Sequence, residues 1–245
     1  MENKKFYDQA EFDIRCEWGL AGIIQLAPIS DVVIIVDVLS FSSSVEIATQ
    51  RGAIIYPYRG KNAAAYAEKT GALLAAKPGQ PGYSLSPYSL VDIPAGQHLV
   101  LPSPNGSTLT LSTGDRPTIA GCLRNYAAVA KAAMIYGPRV AVIPAGERWH
   151  DEGRTLRPAY EDWIGAGAII SQLNGRLSPE ARAARAAFQE IESYEALEQR
   201  LRECGSGREH LGRDMADNLP LVAAANVSNC VPLLVDGAYV NMVDE

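Results

Sequence analysis

The sequence predicts an α/β fold: a three-layer α/β/α arrangement around a largely parallel sheet. Short apolar segments alternate with helical ones along the chain, and repeated β-then-α order is typical of a parallel sheet covered by helices on both faces. The run VVIIVDV at 32–38 is continuously apolar up to its aspartate, as expected for a strand buried on both faces. The 245 residues can bury a large core. We therefore expect one domain over residues 1–245, which could divide into two lobes meeting near residue 150.

The first half of the chain contains the clearest start and stop signals. Three serines, Ser42 to Ser44, predict the start of a helix that ends at Gly52. The remaining elements expected here are a strand at 53–58, a helix at 62–70, a short strand at 72–76, a strand at 98–101 and a short helix after SPNGST.

A long proline- and glycine-rich segment interrupts this pattern at 77–96, KPGQPGYSLSPYSLVDIPAG. Loops of this length are uncommon in compact domains. The segment is either a functional loop or lid, or a plain surface excursion.

In the second half the alternation continues. The expected elements are strands at 118–121 and 139–145, helices at 124–136 and 161–173, a polar loop at 146–160, a helical region at 178–204 and a late strand, VPLLV. Ser178 followed by Pro179 is a typical helix start. We interpret the Ala-, Glu- and Arg-rich surface of 178–204 as a solvated face without chemistry.

Composition excludes several function classes. The formal net charge of −6 argues against a nucleic-acid-binding protein, which would have a basic face. The N-terminus has no apolar core like that of a secretory signal, and no stretch approaches the roughly 18 apolar residues of a membrane span. The four scattered cysteines indicate reduced thiols. We expect a cytoplasmic protein that does not bind nucleic acid or membranes, with a homodimer as the default oligomer.

Polar residues follow the predicted strands, where ligands of parallel sheets bind. Asp37 ends the first strand, and a carboxylate in apolar surroundings is costly unless a cation or metal pairs with it. The alternative is a structural aspartate whose hydrogen bonds are satisfied. Ser42 and Ser43 directly after it would form a helix start suited to an anion, although serines at helix starts are common.

Two further segments also directly follow predicted strands and could bind an anion. The first consists of Asn105, Gly106, Ser107 and Thr108, with exposed backbone donors ahead of a short helix. An ordinary Asn-Gly turn is the alternative. The second is Arg124 and Asn125, since arginine can bind a phosphate or carboxylate through two parallel hydrogen bonds, although a surface arginine is the commoner case.

Neighbouring carboxylates begin a later helix at Glu161 and Asp162. The helix dipole favours acidic residues in this position, which is a sufficient structural explanation. Converging with Asp37, they would instead form an all-oxygen site suited to Mg²⁺. Glu147 could reach the same region, and Asp214 is a weaker candidate.

Several common functional motifs are absent. The chain has no nucleotide-binding P-loop, no dinucleotide-binding glycine motif after the first strand and no nucleophile-elbow motif. Its histidines, His98, His150 and His210, are too dispersed to predict a zinc site. His150 and His210 occur in polar loops, where either could act as an acid or base.

Taken in order, six motifs resemble the 2-phosphosulfolactate phosphatase (ComB) family. They are IVDVLSFSSSVEIA, PSPNGSTLTL, AGCLRNYAAVA, VIPAGE, YEDWIGAGAII and VPLLVDG, spread over residues 30–240. The resemblance implies an α/β/α sandwich and a Mg²⁺-dependent phosphatase that hydrolyses 2-phospho-3-sulfolactate in the coenzyme M route. It also implies metal-binding or catalytic roles for the Asp37 and Glu161/Asp162 motifs, and an anion pocket lined by the 105–108 and 124–125 motifs.

The chain departs from the family pattern at three places. Ser40 replaces a cationic residue, Lys77-Pro78-Gly79-Gln80 replaces a Gly-Glu-Arg segment, and residues 84–87 replace Gly-Asn-Ser-Pro. We hypothesise a phosphatase acting on a small anionic phosphoester, with Arg59, Lys77 or Arg148 as possible compensating cations. The alternatives are a non-catalytic anion-binding homologue and a phosphatase with a different substrate.

Overall fold

The computed structural model describes residues 6–77, 80–150, 152–191 and 193–242. The strands are β1 (Ile14–Cys16), β2 (Val32–Val36), β3 (Ile54–Tyr58), β4 (Leu73–Leu74), β5 (His98–Pro102), β6 (Thr118–Gly121), β7 (Val140–Pro144), β8 (Glu147–Arg148), β9 (Leu156–Arg157), β10 (Pro232–Val235) and β11 (Ala238–Asn241). The helices are α1 (Gly19–Leu26), α2 (Phe41–Gln50), α3 (Ala63–Thr70), α4 (Gly106–Thr110), α5 (Tyr126–Tyr136), α6 (Tyr160–Ile170), α7 (Pro179–Gln189), α8 (Tyr194–Glu203), α9 (Gly205–Gly212) and α10 (Asn218–Ala223). Short 3₁₀ helices lie at Ala27–Ile29 and Pro87–Leu90.

Nine of the described strands form one sheet in the order β1-β7-β2-β6-β10-β11-β3-β5-β4. Strands β1, β7, β2 and β6 are parallel to one another, and so are β3, β5 and β4. The antiparallel hairpin β10–β11 joins the two groups and pairs antiparallel with both β6 and β3, so the groups run in opposite directions. The expectation of a largely parallel sheet is confirmed, while the reversal across the hairpin was not predicted.

Helices cover both faces of the sheet, as the three-layer prediction requires. Along β2, Val32, Ile34 and Val36 pack in the core cluster that contains α5, α6 and α7. The alternate residues Val33 and Ile35 pack with α1 and α4 on the other face. Because successive side chains of a strand point to opposite faces, the continuous apolar run of β2 supplies both cores.

The element boundaries differ from the expectations in several places. Strand β2 ends at Val36, before Asp37, and the helical region 178–204 is divided into α7 and α8. Strands β1 and β11, helix α1 and the two-stranded β8–β9 ribbon were not predicted. None of the described helices is long and apolar enough to cross a membrane.

The serine run lies inside the first turn of α2 and does not cap it. Helix α2 begins at Phe41, and Ser40 precedes it without a side-chain capping bond. The hydroxyls of Ser42 and Ser43 donate to the carbonyls of Ile35 (3.0 Å) and Val38 (2.8 Å). The expected helix start was therefore nearly correct, but these buried hydroxyls attach the helix to the preceding strand and loop.

The described part of the 77–96 segment folds against the helices. Its 3₁₀ helix packs on α2 and α10, and the Ser44 hydroxyl donates to the carbonyl of Leu85 at 2.8 Å. Pro78 and Gly79, part of one predicted departure from the family pattern, lie outside the described residues.

Candidate active site

Asp37 lies directly after β2 and is almost fully buried. Its Oδ1 accepts a hydrogen bond from the N–H of Phe41 (3.2 Å), and its Oδ2 accepts one from the N–H of Gly106 (2.9 Å). Burial, together with the charges of Glu147 and Glu161, raises the pKa of Asp37 to about 7, against the opposing effect of the two N–H donors. This carboxyl group therefore has a fixed orientation and an unusual affinity for protons.

Gly106 reaches Asp37 because α4 crosses to β2 after β5 ends. Leu109 of α4 packs with Val33 and Ile35 of β2, although β5 itself lies beyond the hairpin in the sheet. A Cβ atom on Gly106 would lie 2.2 Å from the Phe41 ring, so the contact requires a glycine. The Ser103 hydroxyl also accepts a bond from the Gly106 N–H, at 3.1 Å.

Asp162 ties together the two loops that follow β2 and β7. Its Oδ1 accepts from the N–H of Val38 (2.7 Å) and its Oδ2 from the N–H of Gly146 (2.8 Å). Burial raises the pKa of Asp162, and the charges of Glu161 and Asp37 act in the same direction. Asp162 is therefore both a structural link and a member of the acidic cluster.

Glu161 is buried beside Asp162 with much weaker compensation. Its Oε2 accepts a hydrogen bond from the thiol of Cys204 at 3.3 Å. Among the described residues, no other hydrogen bond to this carboxylate is found. Burial raises the pKa of Cys204 to about 12, with a contribution from Glu161, so the thiol remains a donor. The end of α8 thus contacts the site, and the prediction that 178–204 carries no chemistry missed this contact.

The ribbon β8–β9 adds an acidic and a basic residue at the edge of the site. It pairs Glu147 with Arg157, and both side chains are half-buried. The Arg157 guanidinium lies against the start of α9, since a Cβ on Gly205 would be 2.8 Å from its Nη1. Among the described residues Arg157 has no ion-pair partner, and its guanidinium carbon lies 5.8 Å from the Trp149 ring. Arg157 was not singled out in the sequence analysis, because it lies in none of the recognised motifs.

Arg124 is committed elsewhere in the structure. Its Nε donates to Oε2 of the fully buried Glu46 at 2.6 Å, and its Nη1 donates to the carbonyl of Leu221 at 2.8 Å. These contacts make Arg124 an internal clamp between α2 and α10, in place of the anion ligand that the sequence suggested.

Asn125 is likewise occupied. Its Oδ1 accepts from the N–H of Cys122 (2.9 Å), and its Nδ2 donates to the carbonyl of Cys230 (3.0 Å). The side chain therefore closes the turn after β6, as a structural residue does.

The 105–108 segment contributes mainly backbone to the site. Its Gly106 N–H binds Asp37, whereas the Ser107 hydroxyl donates to the carbonyl of Leu101 at 2.9 Å. Asn105 is buried and precedes α4, and Thr108 is half-buried within it. Asp214 is exposed in a left-handed turn (φ 55°).

A buried histidine borders the cluster. The Nε2 of His210 lies 3.4 Å from the hydroxyl of Ser40, three residues after Asp37. Burial lowers the pKa of His210. The sequence offered His210 only as an isolated acid or base candidate, because its contact with Ser40 spans 170 residues.

The acidic cluster suits a divalent cation in charge but is not closed around one. Asp37, Glu161 and Asp162 are buried together, and each of the two aspartates has its pKa raised by neighbouring carboxylates. Carboxylate oxygens are the ligands that Mg²⁺ prefers. Within the described residues, however, no group of three or more His, Cys, Asp or Glu side chains stands close enough to hold a metal ion.

Comparison with known proteins gives a consistent result. The family model for 2-phosphosulpholactate phosphatase matches residues 22–237. The 2-phosphosulfolactate phosphatase of Methanothermobacter thermautotrophicus is 28% identical over 211 residues, which cover 85% of this chain and 88% of that protein. The matched range includes every candidate site residue named above.

Proposed function

The chain belongs to the 2-phosphosulpholactate phosphatase family, and from this premise we propose that it hydrolyses 2-phospho-3-sulfolactate to 3-sulfolactate and inorganic phosphate. The observation that carries the proposal is the buried cluster of Asp37, Glu161 and Asp162, with Glu147 beside it. Buried carboxylates such as Asp37 and Asp162, whose pKa is raised by burial and by neighbouring charges, are costly to the fold, and such groups concentrate at functional sites.

We further propose that Mg²⁺ is held by Asp37, Glu161 and Asp162. A bound Mg²⁺ would supply electrostatic stabilisation of the phosphoryl oxygens, as metal ions do in phosphoryl transfer. Asp37 and Asp162 are held by backbone N–H groups, and each carboxylate oxygen retains a second lone pair for a ligand. Glu161, whose carboxylate accepts only the Cys204 thiol among the described residues, is the residue that would benefit most from a cation.

We assign the neutralisation of the substrate to Arg157. Its guanidinium lies against the N-terminus of α9, so two centres of positive charge are adjacent, and Arg157 has no ion-pair partner among the described residues. The Ser206 hydroxyl in the same first turn is buried and finds no hydrogen-bond partner in the described part of the chain. A sulfonate or carboxylate of the substrate would pair with these groups, and we propose that it takes this place in the absence of the cation that Ser40 replaces.

Hydrolysis then requires water to attack the phosphorus atom while the bond between phosphorus and the ester oxygen on C2 of the substrate breaks. The water oxygen becomes part of phosphate, one of its protons passes to the leaving alkoxide, and the other leaves with phosphate or solvent. We assign the acceptance of a proton from the attacking water to Glu147, the half-buried carboxylate whose charge acts on Asp37. Asp37 and Asp162, fixed by four N–H groups, keep the loops around the phosphoryl group in one geometry.

The proposal is tested by phosphate release from a panel of phosphoesters that includes 2-phosphosulfolactate, first with Mg²⁺ and then with excess chelator. We expect release from the sulfonated ester that the chelator abolishes. Arg157→Leu should raise the KM for this ester more than for an ester without a second acidic group. Arg182→Leu, at an exposed position of α7, is the matched control.

Release that continues in chelator would refute the role of Mg²⁺. Release only from other esters would refute the substrate, and no release from any ester, with phosphate still bound, would refute catalysis.

A further inference from the structure

A chain of hydrogen bonds leads from the 77–96 segment to the candidate site, and its first link fixes a direction. The Oδ1 of Asn218 accepts the backbone N–H of Tyr88 (2.9 Å) and the hydroxyl of Ser86 (2.8 Å). A backbone N–H can only donate, so this atom of Asn218 must be the amide oxygen. The orientation of the buried Asn218 amide is therefore determined.

The second link follows from the first. The Nδ2 of Asn218, which can only donate, lies 3.4 Å from Nδ1 of His210. Nδ1 of the imidazole must then accept, so in the neutral ring the proton is on Nε2. That Nε2–H faces the Ser40 hydroxyl oxygen at 3.4 Å.

The third link ends at the candidate site. Ser40 is buried, immediately precedes α2 and lies three residues after Asp37. Its hydroxyl oxygen faces the donor on His210, and no acceptor for the hydroxyl proton is found among the described residues. A hydroxyl that accepts from histidine is left with a proton to donate.

We propose that Asn218 and His210 are positioning residues that turn the Ser40 hydroxyl into a directed hydrogen-bond donor for an anionic oxygen of the bound phosphoester. The proposal rests on the proposed function, because it needs an anion beside Asp37. It gives Ser40 a binding role in which a neutral donor recognises the anion, and it connects the 3₁₀ helix of the 77–96 segment to substrate recognition.

The surroundings of His210 are consistent with a neutral ring. The charges that act on it are those of Glu209 on α9 and of Arg213 directly after this helix, which are opposite in effect, while burial lowers the pKa of His210. The helices packed against α9 present Asn218 from α10 and no charge from α8 among the described residues. At neutral pH the direction of these hydrogen bonds is therefore fixed by Asn218 and does not vary with the protonation of His210.

The tautomer can be measured directly by ¹⁵N NMR of the histidine-labelled protein. The chain has three histidines, and His210→Gln assigns the His210 signals by their loss. We expect the Nε2–H form from pH 6.5 to 8.5. The Nδ1–H form, or an imidazolium over this range, would overturn the proposal.

The substitution Asn218→Asp should reverse the direction of the hydrogen bonds that lead through His210 to Ser40, with little change in side-chain shape. The carboxylate still accepts from Tyr88 and Ser86, but it also accepts from the ring, so the histidine proton moves to Nδ1 and the Ser40 hydroxyl loses its orienting donor. We expect the affinity for inorganic phosphate, measured by calorimetry with saturating Mg²⁺ at each pH, to fall about tenfold below that of the wild type at pH 8. This difference from the wild type should shrink at lower pH, where the ring of the variant gains a second proton.

Ser40→Ala distinguishes this effect from a loss of packing. If Asn218 acts through Ser40, adding Asn218→Asp to the Ser40→Ala protein should lower its phosphate affinity only slightly. Additive losses from the two substitutions would contradict the proposal. Should Asn218→Asp fail to fold, His210→Gln, whose amide can donate toward Ser40, must retain phosphate affinity better than His210→Leu, and equal losses would contradict the proposal. Phosphate affinity and the tautomer are measured without turnover, so an absence of phosphatase activity refutes the proposed function alone.

Discussion

Among single residues, the carboxylates of the site differ in how the backbone compensates them. Asp37 and Asp162 each accept two N–H groups, whereas Glu161 is equally buried and, within the described part of the chain, accepts only a thiol. Removing one partner of a buried polar contact costs more than the contact contributes, because the other partner remains desolvated. The aspartates should therefore be needed for folding as well as for binding, and Glu161 for binding alone.

Glu161→Gln tests this distinction. We expect the metal-free protein to unfold at the same or a higher urea concentration, because a repelled charge is removed, while its affinity for Mg²⁺ falls at least tenfold. Asp162→Asn should instead lower the free energy of unfolding by about 1–3 kcal/mol, since an amide cannot accept both N–H groups. Urea titration and calorimetry measure the two effects. The exposed Glu68→Gln is the control, and unaltered Mg²⁺ binding in Glu161→Gln would remove Glu161 from the metal site.

The pair of Arg124 and Glu46 carries a second prediction at this scale. Arg124→Met leaves the Glu46 carboxylate buried without its cation, which should cost about 3–5 kcal/mol of stability. Adding Glu46→Gln should recover part of this loss, and phosphate affinity should be unaffected in whatever folded protein remains. Chemical denaturation of the single and double variants measures the recovery. A stable Arg124→Met protein with weakened phosphate binding would restore the anion-binding role suggested by the sequence.

Between elements, the site depends on the close approach of α4 to α2. Helix α4 crosses from the reversed half of the sheet to β2, and its first N–H binds Asp37 only because Gly106 lies directly on the Phe41 ring. The neighbouring serines pull α2 toward the same place by donating to carbonyls of the preceding strand and loop. The geometry of Asp37 is thus a property of two helices and a strand.

Gly106→Ala should separate these helices. The added methyl would lie 2.2 Å from the Phe41 ring, so we expect a loss of about 1–3 kcal/mol of stability together with weaker Mg²⁺ binding. Combining it with Phe41→Leu should restore part of both. Gly212→Ala, where a methyl meets nothing within 4 Å, is the matched control. Thermal unfolding equal to wild type in Gly106→Ala would show that the contact is not tight.

In the whole molecule, the strands and helices collect acidic groups from distant parts of the chain into one buried place. Asp37 comes from the first third of the chain, Glu147 from its middle, and Glu161 with Cys204 from the last half. The strongest single consequence is that burial raises the pKa of Asp37 to about 7, against 3.8 for an ordinary aspartate. Proton binding would therefore compete near neutral pH with the Mg²⁺ that we propose for this site.

The dissociation constant for Mg²⁺ should reflect this competition. Below pH 7 the proton must leave Asp37 before the metal binds, so the affinity should fall about tenfold or more for each unit of decreasing pH. Above pH 7 it should level off, because the carboxylate is already ionised. Calorimetry from pH 5.5 to 8.5 measures the profile, and a flat profile would mean that Asp37 has an ordinary pKa.

Much of this architecture could be predicted because it follows local rules. The β-then-α alternation predicted the three layers, the continuous VVIIVDV run predicted a strand buried on both faces, and Ser178-Pro179 predicted the start of α7, where the Ser178 hydroxyl does accept from the Ala181 N–H. The acidic candidates were also visible, because a carboxylate next to an apolar run is costly.

The remaining features depend on contacts between distant residues. The fold class and the candidate carboxylates could be predicted from the chain alone, because periodicity and burial cost are properties of short segments. Tertiary contacts were needed to find that Arg124 pairs with Glu46, that the Arg157 guanidinium lies beside α9 and that Asn218 orients His210 toward Ser40. Whether a polar side chain binds a ligand or stabilises the fold depends on which groups lie next to it. Those groups come from distant parts of the chain, as His210 does for Ser40, and packing brings them together.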